Sequence, residues 1–164
     1  MRRHDLAQLN VGRLLAPQDS PVVADFVNAL DEINALADAA PGFCWRFQTD
    51  DGNAMAERPF VGDDEMLVNF STWESHESLA DYVYRSHHVD FLRRRREWFE
   101  HLGEVVTVLW WVPRGHRPTS AEALERLAHL REQGPTPWAF TFRTRFEPGA
   151  GTAVPGADRD VCPA

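Results

Sequence analysis

The chain has 164 residues, enough for one domain with a real hydrophobic core, and 43% hydrophobic with 26% charged residues is a globular balance rather than a disordered one. A net charge of -8 argues against a nucleic-acid footprint, because phosphate binding needs a basic face. No apolar run reaches the length of a membrane span, and "MRRHDLAQLN" lacks the apolar segment of a leader. Cys44 and Cys162 are too differently placed to form a disulfide framework, so a reducing, cytoplasmic setting is expected.

In chain order, "HDLAQLNVGRLL" alternates as a strand, with Ala7, Leu9 and Val11 on one side and Leu6, Gln8 and Asn10 on the other. Ser20-Pro21 opens a predicted helix whose apolar residues, Val23, Phe26, Val27, Leu30, Ile33 and Ala37, recur at helical intervals up to Pro41-Gly42. "FCWRFQT" alternates again, placing Phe43, Trp45 and Phe47 together. Residues 49–65 are acidic, with glycine and proline, and far exceed a hairpin loop. They are expected to be solvated or to act as a lid, and they do not match a calcium loop.

"MLVNFSTW" is a third strand, with Met66, Val68 and Phe70 opposite Leu67, Asn69, Ser71 and Trp73. Ser75 starts a short helix with inner residues Leu79, Tyr82 and Val83. Ser86 caps a second, running from His88 to about Leu102. "VVTVLWWV" is apolar on both sides and is expected to be a central fourth strand. A capping box, Thr119 with Glu122, opens a helix that closes at Gly134, and "WAFTFRTRF" alternates as a fifth strand. Residues 1–146 are thus one domain, and 147–164 are expected to be a disordered tail.

The order β-α-β-β-α-β with an added α-β predicts an α+β fold, a ferredoxin-like antiparallel sheet with helices on one face. The other face, assigned tryptophans and other apolar residues beside Gln8, Asn10 and Asn69, is too apolar to stay wet. It predicts a partner sheet from a second copy, a homodimer through the sheet face.

Five segments together, "HDLAQLNVGRL", "LDEINALADAAPGFCWRFQTDDGNA", "LVNFSTWES", "YRSHHVDFLRRRREWF" and "LWWVPRGHRPT" with its continuation "ALERLAHLREQGPTPWAFTFRT", resemble the family called domain of unknown function 3291, from about residue 4 to 146. The resemblance implies the superfamily of dimeric α+β barrels, similar to antibiotic-biosynthesis monooxygenases and haem-degrading monooxygenases, with a pocket between sheet and helices. In some cofactor-independent relatives an asparagine and a tryptophan hold the substrate near oxygen, and Asn69 and Trp73 are similar in type. Haem-binding relatives place a histidine on a nearby helix, where His87 or His88 lies. The added helix and strand, 119–146, depart from that pattern.

Helical geometry supplies an independent view of His88. At about 100° per residue, His88 and Arg95 fall within the stripe of Phe91, Leu92, Trp98, Phe99 and Leu102, His87 falls at its margin, and Arg93, Arg94 and Arg96 fall outside it. Four consecutive arginines spread around an axis form no nucleic-acid stripe. His88 and Arg95 either face a pocket or pair inside the core. Asn69, Trp73 and His88 are the candidate catalytic set, and Gln8, Asn10, Trp45, Tyr82, Arg95 and Trp111 are the candidate substrate contacts.

Three functions follow. The first is an oxygenase without cofactor, acting on a small hydrophobic or aromatic molecule. The second is a haem protein with His88 or His87 as axial ligand, and the third is a non-catalytic dimeric binding module. No Walker loop, nucleophile elbow, dinucleotide fingerprint or zinc motif is present.

Overall fold

The computed structural model describes residues 2–149 and the backbone of residues 154 and 155. Its strands are β1 (His4–Arg13), β2 (Phe43–Arg46), β3 (Met66–Trp73), β4 (Thr107–Pro113), β5 (Thr144–Arg145) and β6 (Val154–Pro155). Its helices are α1 (Ala24–Asp38), α2 (His76–Arg85), α3 (His88–Arg94) and α4 (Ser120–Gln133), with 3-10 turns at Pro21–Val23 and Arg95–Glu97. β1 to β4 form one antiparallel sheet in the order β2-β3-β1-β4, which with the β-α-β-β-α-β connection is the ferredoxin-like arrangement. Among the described residues no helix is long and apolar enough to cross a membrane.

The two faces of the sheet follow the alternation of β1 and β3. Leu6, Trp73 and Leu109 pack with Leu79 of α2, while Leu67 packs with Val23, Trp98 and the partly buried Phe26 and Phe91 near α1 and α3. Ala7, Leu9, Val11, Val68, Phe70, Val108 and Trp110 make up the opposite face and pack with Ala123, Leu127 and Leu130 of α4. This corrects one expectation: Gln8, Asn10 and Asn69 share the face that α1 to α3 cover, not the face away from the helices. On the opposite face Phe70, Val108 and Trp110 are fully buried within the chain.

Long-range pairing overrides two sequence periodicities. The helix expected to reach Leu102 stops at Arg94 and tightens into the 3-10 turn. There Leu14 bridges Phe99, Leu15 N donates to Trp98 O and Glu100 N to Arg13 O, which ties this backbone to the end of β1. The expected fifth strand shrinks to a Leu109–Phe140 bridge and the two residues of β5. A turn at Thr136–Ala139 precedes the bridge, and one at Thr141–Thr144 takes up the backbone between it and β5. β6 pairs with β5, so part of the expected tail returns to the fold, and the remainder of that tail lies outside the described residues.

Helix ends obey their caps where the partners are local. Ser75 Oγ accepts from Ser78 N while Ser78 Oγ accepts from Ser75 N, a reciprocal box that aims α2 back over Trp73. Ser75→Ala is expected to cost about 1 kcal/mol, seen as a lower urea midpoint at unchanged slope; a loss within a few tenths would mean that α2 is positioned by packing alone. At α4 only half of the expected box forms. Thr119 Oγ1 accepts from Glu122 N, whereas the Glu122 carboxylate accepts from Trp110 Nε1 at 3.1 Å and meets His116 Nε2 at 2.7 Å.

Candidate functional site

The register of the sheet sets out the floor of the site as cross-strand rows. Asn69, Asn10 and Thr107 stand side by side across β3, β1 and β4. Ser71, Gln8 and Leu109 form the next row, and Trp73, Leu6 and Trp111 the one beyond. Two polar rows therefore lie between an aromatic row and, at the other end, the Leu67–Gly12 pair. Asn10 Nδ2 donates to Thr107 Oγ1 at 2.9 Å, and Ser71 Oγ accepts from both Gln8 Nε2 at 3.0 Å and Trp73 Nε1 at 2.8 Å.

Above this floor the helices stand off rather than close. Phe26, Leu30 and Ile33 of α1 and Phe91 and Leu92 of α3 are only half-buried, because they face a cavity of about 190 Å³ rather than the sheet. Asn69 shows the consequence. It sits in an interior strand with buried neighbours on both sides, yet its own side chain is exposed, and no hydrogen bond to it is found among the described residues. The long loop also contributes: Asn53, Ala54 and Met55 line the cavity, and Gln18 Nε2 donates to Met55 O at 3.2 Å.

His88 enters the cavity from the start of α3, as its helical phase predicts, and lies tilted at 4.8 Å against Tyr82, which stacks at 4.9 Å on Trp73. Its Nδ1 lies 3.4 Å from Val83 O, a contact that requires Nδ1–H and leaves Nε2 as the basic nitrogen. Burial lowers its pKa from the ordinary value, with the Val83 carbonyl opposing, so the ring is neutral at pH 7. Burial likewise pushes the Tyr82 hydroxyl far up, so it stays protonated.

Of the residues expected at the site, Gln8, Asn10, Asn69, Trp73, Tyr82, His88 and Arg95 line the same cavity. Three expectations are corrected. A β-bulge between Phe43 and Trp45 turns Trp45 to the opposite face, against Phe70 at 6.0 Å. Trp111 has the right face but lies past the cavity, edge-on to His76 at 5.2 Å with its Nε1 bonded to Phe146 O. His87 is on the surface, its side chain 85% exposed beside Asp90. Sequence reasoning missed Thr107, which ends the polar row, and Gly12; an isolated glycine inside a strand was the available signal for the latter.

The cavity beside His88 measures about 190 Å³, somewhat more than the roughly 150 Å³ that accommodates one benzene ring. Among the described residues, no three His, Cys, Asp or Glu side chains gather to hold a metal ion.

The α+β domain thus holds, between its antiparallel sheet and helices, an apolar-walled cavity with a few polar groups, which is the composition a small-ligand site needs. The chain belongs to the family described as Domain of unknown function (DUF3291), whose model matches residues 5–155. No curated protein matches it. Solved structures resemble it at low identity. They include PA3566 from Pseudomonas aeruginosa (13% identical, TM-score 0.47, covering 71% of this chain and 99% of that one) and NE2512 from Nitrosomonas europaea, a protein of unknown function (12%, TM-score 0.43, 73% and 97%). A nipsnap family protein of unknown function from Agrobacterium tumefaciens is 15% identical with a TM-score of 0.39, covering 73% and 96%.

Proposed function

We propose that the cavity binds a small planar molecule of phenol or enol type, with Asn69 holding a polar edge of the ligand and His88 taking up its acidic proton. The observation that carries this is the exposed Asn69 carboxamide at the centre of the sheet, in the same cavity as a buried, neutral imidazole. A buried histidine of lowered pKa is mainly in its base form at pH 7, though a weaker base, and suits a proton already made acidic by conjugation.

In its more specific form the reading is a cofactor-independent oxygenase, supported by the resemblance to antibiotic-biosynthesis monooxygenases. The deprotonated ligand is itself the reductant: a CH2 between unsaturated groups becomes C=O, one atom of O2 enters the product, and the other leaves as water with the two hydrogens. Trp73 is a wall in this scheme, since its N–H is committed to Ser71. That commitment also favours a second reading, a binding module without chemistry.

The test is oxygen uptake by the purified chain with a panel of phenols and 1,3-dicarbonyl compounds, alongside binding of the same compounds. Saturable uptake is expected, with kcat/KM falling about tenfold or more in Asn69→Ala at an unchanged thermal midpoint. The acid limb of its pH profile should lie below the ordinary histidine value, because the base form is lost only as pH falls through the lowered pKa of His88. Uptake unaffected by Asn69→Ala would remove the assigned role, and binding without uptake would establish the module.

A further inference from the structure

We propose that the Ser71 hydroxyl is the donor that holds the ligand oxygen from which His88 takes the proton, and that the ligand carries a second polar group across its ring. This deepens the reading above and rests on it for the cavity being a ligand site and for His88 as the base.

Ser71 lies on β3 and lines the cavity, yet it is only 5% exposed. Its oxygen accepts from Trp73 Nε1 at 2.8 Å and from Gln8 Nε2 at 3.0 Å. A hydroxyl has two lone pairs and one hydrogen. With both lone pairs filled, Ser71 acts only as a donor towards whatever enters. No acceptor for that hydrogen is found among the described residues, and Leu109, which ends its cross-strand row, has no polar side chain to offer. A buried donor without a partner is costly, and the cavity is the direction in which this one can be satisfied.

The two bonds that Ser71 accepts strengthen the one it gives, because each draws electron density from the oxygen. A fixed donor aimed at a developing negative charge stabilises it without reorganising. On deprotonation the ligand O–H bond breaks, the proton passes to His88 Nε2, and the electron pair stays on the oxygen that accepts from Ser71. An aromatic pair links the two protein groups. Ser71 is bonded to the edge of Trp73, Trp73 stacks on Tyr82 at 4.9 Å, and Tyr82 meets His88 at 4.8 Å.

The strand sets the length of the ligand. Asn69 and Ser71 are two residues apart on one face of β3, about 7 Å at the rise of a strand. That is about the span of a para-substituted ring, with the acidic oxygen at Ser71 and the second polar group at the exposed Asn69 carboxamide. The cavity, a little larger than one that takes benzene, leaves room for such substituents.

The test uses 4-nitrophenol, whose anion is coloured, and 4-nitrotoluene, which has a similar shape without the oxygen. Calorimetric titration of the full chain gives both affinities, and absorbance across pH gives the pKa of the bound phenol. The bound phenol is expected to be at least as strong an acid as the free one, although apolar walls alone would weaken it. Ser71→Ala should raise that pKa by about one unit or more, the size of a hydrogen bond to a charged oxygen, and leave nitrotoluene binding unchanged. Ser71→Thr keeps the hydroxyl and should keep the acidity. A bound phenol less acidic than the free one overturns the proposal in the unaltered chain, however the variants fold. Unchanged acidity in Ser71→Ala overturns it as well, the hydrogen then being spent on a Gln8 carboxamide turned over. Equal weakening of both compounds does the same and makes Ser71 a part of the wall. These three results leave the cavity as a ligand site, whereas no binding of either compound overturns both this inference and the reading beneath it.

Discussion

Trp110→Ala is expected to lower the stability of the domain by about 3–5 kcal/mol, a large part of the roughly 5–15 kcal/mol that such a domain possesses. Trp110 is fully buried on the face of the sheet that α4 covers, with Leu127 and Leu130 in the same cluster. Removing its side chain opens a hole between two layers that cannot both move inward, because β4 is fixed by its pairing with β1. It also takes away one partner of the Glu122 carboxylate, leaving the contact with His116. The measurement is urea unfolding at pH 7, where the midpoint should fall at unchanged slope. Trp110→Phe restores most of the packing but not the N–H, and should cost only about 1–2 kcal/mol. A loss below about 1 kcal/mol for the alanine variant would mean that α4 is not a clamp on this face.

The contrast between Trp110 and Trp111 shows where sequence reading succeeds and stops. Strict alternation in β1 and β3 assigned every residue of those strands to a partner group, so Gln8, Asn10 and Asn69 could be placed on one face before any coordinates existed. It could not say which face the helices cover. That depends on where α4 docks, which is a matter of long-range packing of Ala123, Leu127 and Leu130 against the sheet rather than of the periodicity of α4. Alternation also fails where one residue is inserted, and the bulge after Phe43 was enough to send Trp45 to the wrong side.

The helical half of the site was legible for a different reason. His88 and Arg95 are seven residues apart, two turns, and the α geometry persists to Arg94. The phase calculation therefore holds for both, even though the helix ends earlier than its apolar stripe. Beyond that point the pairing of Phe99 with Leu14 governs, and no local signal in "REWFEHL" announces a contact with a strand that lies more than eighty residues away. Cavity size was not legible at all. It arises because α1 fully buries only Ala37 and α3 buries no residue completely, which is a property of how the helices stand over the sheet.

Lowering the pH from 7 towards 5 is expected to destabilise the fold through His76 and His88. Both have pKa values below the ordinary 6.5 in the folded chain. Burial is the larger cause in each, with the charge of Arg145 adding to it at His76. The unfolded chain takes up protons near pH 6.5 that the folded chain does not, so stability falls as the pH drops below 6.5 and levels off once the lowered native values are passed. Above about pH 7 both states are neutral and neither histidine contributes a slope. His76 is the cleaner probe. It is 4% exposed, edge-on to Trp111 and 5.6 Å from Phe140, and neither ring nitrogen has a hydrogen-bond partner among the described residues. The Phe146 backbone pulls its pKa upward but stands outside hydrogen-bond geometry. His76→Phe keeps a ring in that space and removes two desolvated nitrogens, so it should stabilise the protein by about 1–2 kcal/mol at pH 7 and by more at pH 5.5. Thermal midpoints measured across this range in both proteins decide the matter. A variant that gains stability equally at every pH would show that His76 costs desolvation but does not titrate. A variant that gains nothing would show that its nitrogens are satisfied by ordered water.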